Sequence, residues 1–272
     1  MRGSRPKAGP ATLAFAASAF FVSVGAAGCS CEGTRTPLAA VPEIPYPVEG
    51  DGELELERTL RSGPDMAGPD IVERFEIRRA GDFRIVRTRQ EWPLGTADLD
   101  VVYDGEGMPV RVWRRTTMPA AGDPIGHRDV RVYGIGGPEV LIARRAPDGS
   151  REGVSLRGER PRAVIGPGRG MLTAWIQRAH LEVGGRLREP VLDVRESLAL
   201  IRDVTLQREQ PRQVAGLGQV RVYTIYGREP VFTDEHDVVI GDLMGMREAS
   251  AVPGPVPDPA PDPGPFDPRE AP

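Results

Sequence analysis

The chain has 272 residues, 35 Lys or Arg against 39 Asp or Glu, a formal charge of −4 and two cysteines. That balance excludes a basic footprint for nucleic acid. With only Cys29 and Cys31, and Cys31 left single if Cys29 is modified, no internal disulfide is expected to staple the fold, so a hydrophobic core has to carry stability.

The first segment reads as an address rather than as fold. Arg2, Arg5 and Lys7 give a positive start with no acid before Glu32, and an apolar stretch runs from Ala11 to Ala27. At about 17 residues it falls short of the roughly 20 that a spanning helix needs, which is the secretory pattern. It ends Ala26-Ala27-Gly28-Cys29-Ser30. This resembles the lipobox of bacterial lipoproteins, although that family prefers Leu where Ala26 stands. The resemblance implies cleavage between Gly28 and Cys29, a thioether-linked lipid on Cys29, and a membrane as partner through that lipid. An ordinary signal peptide with a free thiol is the alternative. At about 0.8 kcal/mol per buried CH₂, an anchor with more than one acyl chain holds firmly. Ser30 in place of Asp leans the expected location towards the outer membrane over the inner. Loss of residues 1–28 leaves a mature chain of about 244 residues with a charge of about −7, room for one sizeable domain or two small ones.

Residues 29–49 contain Pro37, Pro42, Pro45 and Pro47 with little periodicity. They read as a polyproline-like tether, at about 3.1 Å per residue a spacer of roughly 50 Å. From residue 50 to 248 the chain reads as an antiparallel β domain. Leu54 and Leu56 alternate with glutamates, Phe75 and Ile77 with charged neighbours, and Ala80-Gly81-Asp82 turns into Phe83 and Ile85, with Arg84 and Arg87 outward. Leu99, Val101 and Tyr103 repeat the pattern. Asp104-Gly105-Glu106-Gly107 turns into Val110 and Val112, Val130 and Val132 start another strand, and Glu139–Arg145 is followed by the Asp148-Gly149 hairpin signal. Leu172, Trp175, Ile176 and Ala179 fall at helical spacing, predicting a helix near 172–183 that Gly184-Gly185 stops. Strands resume at Leu198–Leu206, Val220–Tyr226, Val231–Thr233 and Val238–Ile240. Residues 249–272, with proline at almost every second position, read as a disordered tail.

The fold class expected is therefore mainly β, a curved antiparallel sheet laid out as a half-barrel-like meander of roughly ten strands, packed on one or few α-helices. One face is expected to be wet. The arrangement resembles the half-barrel of the bacterial lipoprotein carriers LolA and LolB, in architecture alone and over about residues 50–248. That resemblance implies a concave face able to hold an apolar or lipid ligand.

A catalytic constellation is harder to find. His127, His180 and His236 are far apart in the chain, with no ligand pair among them, so neither a metal nor another cofactor is expected. Ser155 misses the spacing of a nucleophile elbow. Gly166-Pro167-Gly168-Arg169-Gly170 precedes the helix and could hold an anion on its amides, but a flexible turn explains its glycines equally well. Asp234-Glu235-His236-Asp237 reads as an acidic hairpin tip rather than a calcium loop. Arg228-Glu229-Pro230 and Gly241-Asp242-Leu243-Met244-Gly245-Met246 stand out without a mechanism. The reading is a non-enzymatic, membrane-anchored envelope lipoprotein that binds an apolar or lipid ligand or docks a partner. The rival is an exported hydrolase whose carboxylates, such as Glu73, Glu76 or Asp100, converge only in three dimensions.

Overall fold

The computed structural model describes residues 34–62, 70–120, 123–195 and 198–252. The expected leader, the Gly28–Cys29 cleavage point and Cys29 itself lie outside the described residues, as does the tail beyond 252. The chain opens with β1 (Thr34–Leu38) and then runs a long antiparallel meander: β2 (Glu53–Ser62), β3 (Val72–Ala80), β4 (Phe83–Trp92), β5 (Gly95–Tyr103), β6 (Pro109–Ala120), β7 (Asp123–Ile135), β8 (Glu139–Arg145) and β9 (Arg151–Arg157). A short β10 (Ala163–Ile165) leads into α1 (Gly170–Ala179). The second meander comprises β11 (Arg186–Asp193), β12 (Leu200–Arg208), β13 (Arg212–Val214), β14 (Gly218–Ile225), β15 (Glu229–Thr233), β16 (Val239–Asp242) and β17 (Met246–Glu248).

Pairing of Arg247 with Arg61 joins β17 to β2, so both meanders belong to one sheet. At one end β1 lies antiparallel to β9, and at the other β10 lies parallel to β11. Those two edge strands do not pair with each other, and the sheet is curved but unclosed. The mainly β architecture with a single helix is as the sequence pattern predicts.

The helix fills the concavity. Met171, Ala174 and Trp175 recur at i, i+3 and i+4 and are buried, one side meeting Ile77, Leu99 and Val101 of the first meander. Trp175 and Ile176 meet Val191, Val204 and Leu206 of the second. The helix starts two residues earlier than predicted and ends four earlier, because His180 takes a left-handed conformation with φ 43°. The Gly166–Gly170 loop owes its glycines to close packing rather than flexibility. A Cβ on Gly168 would stand 2.3 Å from Thr88 Cγ2, and one on Gly170 2.6 Å from Thr88 Oγ1.

Two expectations need correction. Residues 34–48 are not a free spacer: β1 is hydrogen-bonded into the sheet, and the segment after it crosses the convex face as a strap. Ile44 packs on Trp113, Val132 and Ala143, while Val48 packs on Ile85 and Val102. The extended backbone that the prolines enforce is what lets Ile44, Tyr46 and Val48 point one way, two residues apart. Each such burial stabilises by roughly 1.5–3 kcal/mol. Consequently the convex face is dry where the strap lies. Phe83 and Ile85 face the strap, whereas Arg84 faces the helix and donates to Gln177 at 2.6 Å. The domain also extends past residue 248: residues 249–251 form a short turn and Val252 is buried.

Candidate functional site

Three segments that stand out in the sequence without a shared explanation meet at one end of the molecule. The loop 166–169 before α1, the turn 228–230 between β14 and β15, and the turn 242–244 between β16 and β17 all line a cleft of ≈ 350 Å³. Its floor is Ile165, Leu172, Ile225 and Val231, and two of its walls are Pro167 and Pro230. Leu243 and Met244 form the rim at 64% and 72% exposure; with Leu94 they are the three most exposed large apolar side chains among the described residues. (Leu94, at 67%, lies in the β4–β5 turn.)

Polar bonds pin the cleft open. Arg169 is the clamp: its Nε and Nη2 donate to Asp242 Oδ2 at 3.0 and 2.7 Å, and its Nη1 donates to Glu73 Oε2 at 3.3 Å. Burial alone would lower the Arg169 pKa; Glu73 and Asp242 outweigh it and the guanidinium stays charged. Asp242 in turn accepts from Met246 N at 3.1 Å, and Leu243 N donates to Pro230 O at 3.1 Å, so the rim is tied to both other segments. The anion-binding amides of the helix start are already occupied, because Arg169 N donates to the Glu73 carboxylate. That internal carboxylate corrects the idea of an external anion on this loop. Burial pushes the Glu73 carboxyl up against the opposing pull of Arg169.

Beside the cleft lies an open basic shelf, a second concavity lined by Arg186, Arg188, Arg195, Arg202 and Arg228 with Asp203 and Glu229. Its inner wall is Tyr226. The Arg202 and Arg195 guanidinium groups stand 4.8 and 5.5 Å from the Tyr226 ring centre, and the phenol donates to Asp193 Oδ2 at 3.3 Å. Burial raises Asp193, but hydrogen bonds from Arg195 and Arg202 outweigh it and hold the carboxyl below its usual range. Burial and the Asp193 charge push the Tyr226 phenol up to about 12. Tyr226 has φ 56°, followed by Gly227 at φ 67°, in a tight turn closed by Arg228 N donating to Ile225 O. A tyrosine in the left-handed region costs on the order of 1 kcal/mol or more, a strain that clusters at functional sites. Arg186 and Arg228 have no carboxylate partner among the described residues.

The other candidates fall elsewhere. Glu73 points to the concave side, while Glu76 and Asp100 lie on the convex side sharing Arg87, whose Nη1 is 3.6 Å from Glu76 and whose Nε is 3.0 Å from Asp100. The three carboxylates do not converge on one cleft. Asp100 is fully buried, and burial pushes it up to about 6 against the pull of Arg87. Ser155 donates to Glu139 at 2.5 Å from the middle of β9, not from an elbow. His127 lies in β7, apart from the others, whereas His180 and His236 line one cavity of ≈ 460 Å³ at the far end of α1. Among the described residues, no three His, Cys, Asp or Glu side chains gather at metal-binding distance. In the 234–237 turn, Asp234 accepts from the amides of His236 and Val238, using its carboxylate to cap its own hairpin. Among the described residues no helix is long and apolar enough to cross a membrane.

The sequence pattern does not bring Leu172 and Arg195 of the cleft together with Tyr226 of the adjoining shelf, because they come from three segments more than twenty residues apart. The left-handed Tyr-Gly turn was the available signal. No family model and no curated protein matches the chain. Among solved structures, a DUF1089 family protein from Pseudomonas aeruginosa is similar with a TM-score of 0.41 and 14% identity, over 66% of this chain and 92% of its own. A likeness that distant carries no argument about function.

Proposed function

We propose that the chain is an exported lipoprotein of the bacterial envelope, anchored through lipid on Cys29, that binds an amphiphile in the 166–244 cleft. The observation that carries this reading is the pairing of an apolar floor with unpartnered Arg228 at the mouth. An acyl chain buries its methylenes on Leu172, Ile225 and Val231, and an anionic head meets the arginines. The concave face expected to hold such a ligand is filled by α1, and the cleft at the helix start takes its place. Apolar lining with few, convergent polar groups is the usual character of a ligand site.

Labelled palmitate supplied to a Gram-negative host tests the anchor: wild type takes up label and fractionates with membranes, and Cys29→Ala does neither. Label in both or in neither contradicts it. Calorimetric titration of lysophosphatidylglycerol into the mature Cys29→Ala protein tests the cleft. Leu172→Trp, which fills the floor, is expected to weaken binding at least tenfold, and absence of binding by the parent protein overturns the reading.

A further inference from the structure

The polar shelf and the apolar rim adjoin through Arg195, Arg228 and Glu229 and make one end of the molecule, and the chain enters the body within reach of the shelf. Thr34 is paired with Arg157 across the β1–β9 edge. The next residue, Gly158, lies against Ile201: a Cβ there would stand 3.2 Å from Ile201 Cδ1. Arg202, adjacent to Ile201, belongs to the shelf. Summing strand spacing, one Cα step and one side-chain contact places Thr34 within on the order of 20 Å of the shelf. Only residues 30–33 separate Cys29 from Thr34. Five Cα steps reach at most roughly 18 Å. A lipid on Cys29 therefore leaves the shelf within reach of the bilayer, on a tether about a third the length of the 50 Å spacer that the prolines suggest.

We propose that this end seats on the membrane, the shelf arginines against anionic lipid headgroups and the Leu243–Met244 turn dipping between them. Charge complementarity argues for this occupant. The chain is acidic overall, yet here five arginines meet three carboxylates, Asp193, Asp203 and Glu229, and Arg186 and Arg228 are left without one among the described residues. Leu243 and Met244 extend from a turn held by Asp242 and Pro230, so little ordering is needed for them to enter an interface. The cleft mouth then opens onto the leaflet, and an amphiphile passes between bilayer and cleft without crossing water. The seat rests on the lipid-anchor reading only for its orientation; the surface itself is testable without lipid on the protein.

The test uses the full mature chain carrying Cys29→Ser, mixed with vesicles of phosphatidylcholine alone or of phosphatidylcholine with phosphatidylglycerol, and read by co-sedimentation. Binding is expected to the anionic vesicles, falling as salt rises. Arg186→Glu with Arg188→Glu, which touches the shelf and not the cleft, is expected to weaken it at least tenfold. Leu243→Ser with Met244→Ser is expected to weaken it about fivefold. Circular dichroism checks that each variant folds, and Arg186→Glu alone, at an arginine without a carboxylate partner among the described residues, replaces the first pair if it does not. Equal partition onto both vesicle types, or unchanged partition of the folded charge-reversed variant, overturns the proposal. Failure of the seat with lysophospholipid titration intact leaves the cleft reading standing; loss of titration with vesicle binding intact does the reverse.

Discussion

The two meanders treat their charges differently. In the first, charged side chains are paired along the sheet and the strap covers them. Asp98 is 1% exposed and accepts from Arg115, itself 5% exposed, while Asp100 at 0% is enclosed by Arg87 and Tyr46. In the second meander the arginines stand at a surface beside exposed Leu243 and Met244, and a tyrosine is held in a strained turn. Where charges are matched and covered, the sheet is being held together. Where charge and apolar surface are left open and fixed in place, free energy has been spent on something other than stability, and that is the part of the molecule able to meet a partner.

The comparison breaks first at the element both regions share. Trp175 is 1% exposed, contacts the second core and donates its indole N–H to buried Glu189 at 2.6 Å. Trp175→Ala should cost about 3–5 kcal/mol, from the cavity and the carboxylate left without that donor, read as a shift in the urea midpoint. Next comes the strap. Ile44→Ala should cost about 2–4 kcal/mol and raise amide exchange in β6–β8, with ligand titration at the cleft unchanged. A strap variant that abolished titration would remove the distinction between the regions.

Acid sharpens the contrast further. Asp100 titrates near 6 in the folded chain against about 4 unfolded, so between those values the folded state holds a proton that the unfolded state lacks. Its contribution to stability is fully present below about pH 4 and is lost as pH rises through about 6. Asp100→Asn should flatten that part of the stability profile, measured as urea midpoints from pH 4 to 7. An unchanged slope would show that the site titrates elsewhere. The smallest effect on stability is expected from the second region: Leu243→Ser with Met244→Ser should leave the urea midpoint within about 0.5 kcal/mol of wild type.

Much of the first region was legible because period two is unambiguous there: Phe75 with Ile77 and Leu99 with Val101 fall on one face as their spacing predicts. The helix was legible for the same reason, to within its ends. The strap was not, because Pro42, Pro45 and Pro47 dominate its composition. Yet Ile44, Tyr46 and Val48 carry the same alternation, and proline belongs naturally in extended edge segments such as β1, where Pro37 pairs with Val154. Strand β11 was hidden by Arg186, Arg188 and Pro190; its buried Glu189 reads as a surface residue until Trp175 is seen to donate to it. The cleft was legible only in fragments. The sequence pattern marks the 166–170, 228–230 and 241–246 segments as unusual, but hydrogen bonds from Arg169 to Asp242 and from Leu243 to Pro230 bring them together, and no linear spacing encodes those.

Native mass spectrometry of protein released from host membranes, run side by side on wild type, Leu172→Trp and Ile44→Ala, puts the division between the regions to the test most directly. A co-purified amphiphile is expected on wild type and on the strap variant, and none on the cleft variant. An amphiphile retained by Leu172→Trp and lost from Ile44→Ala would contradict that division.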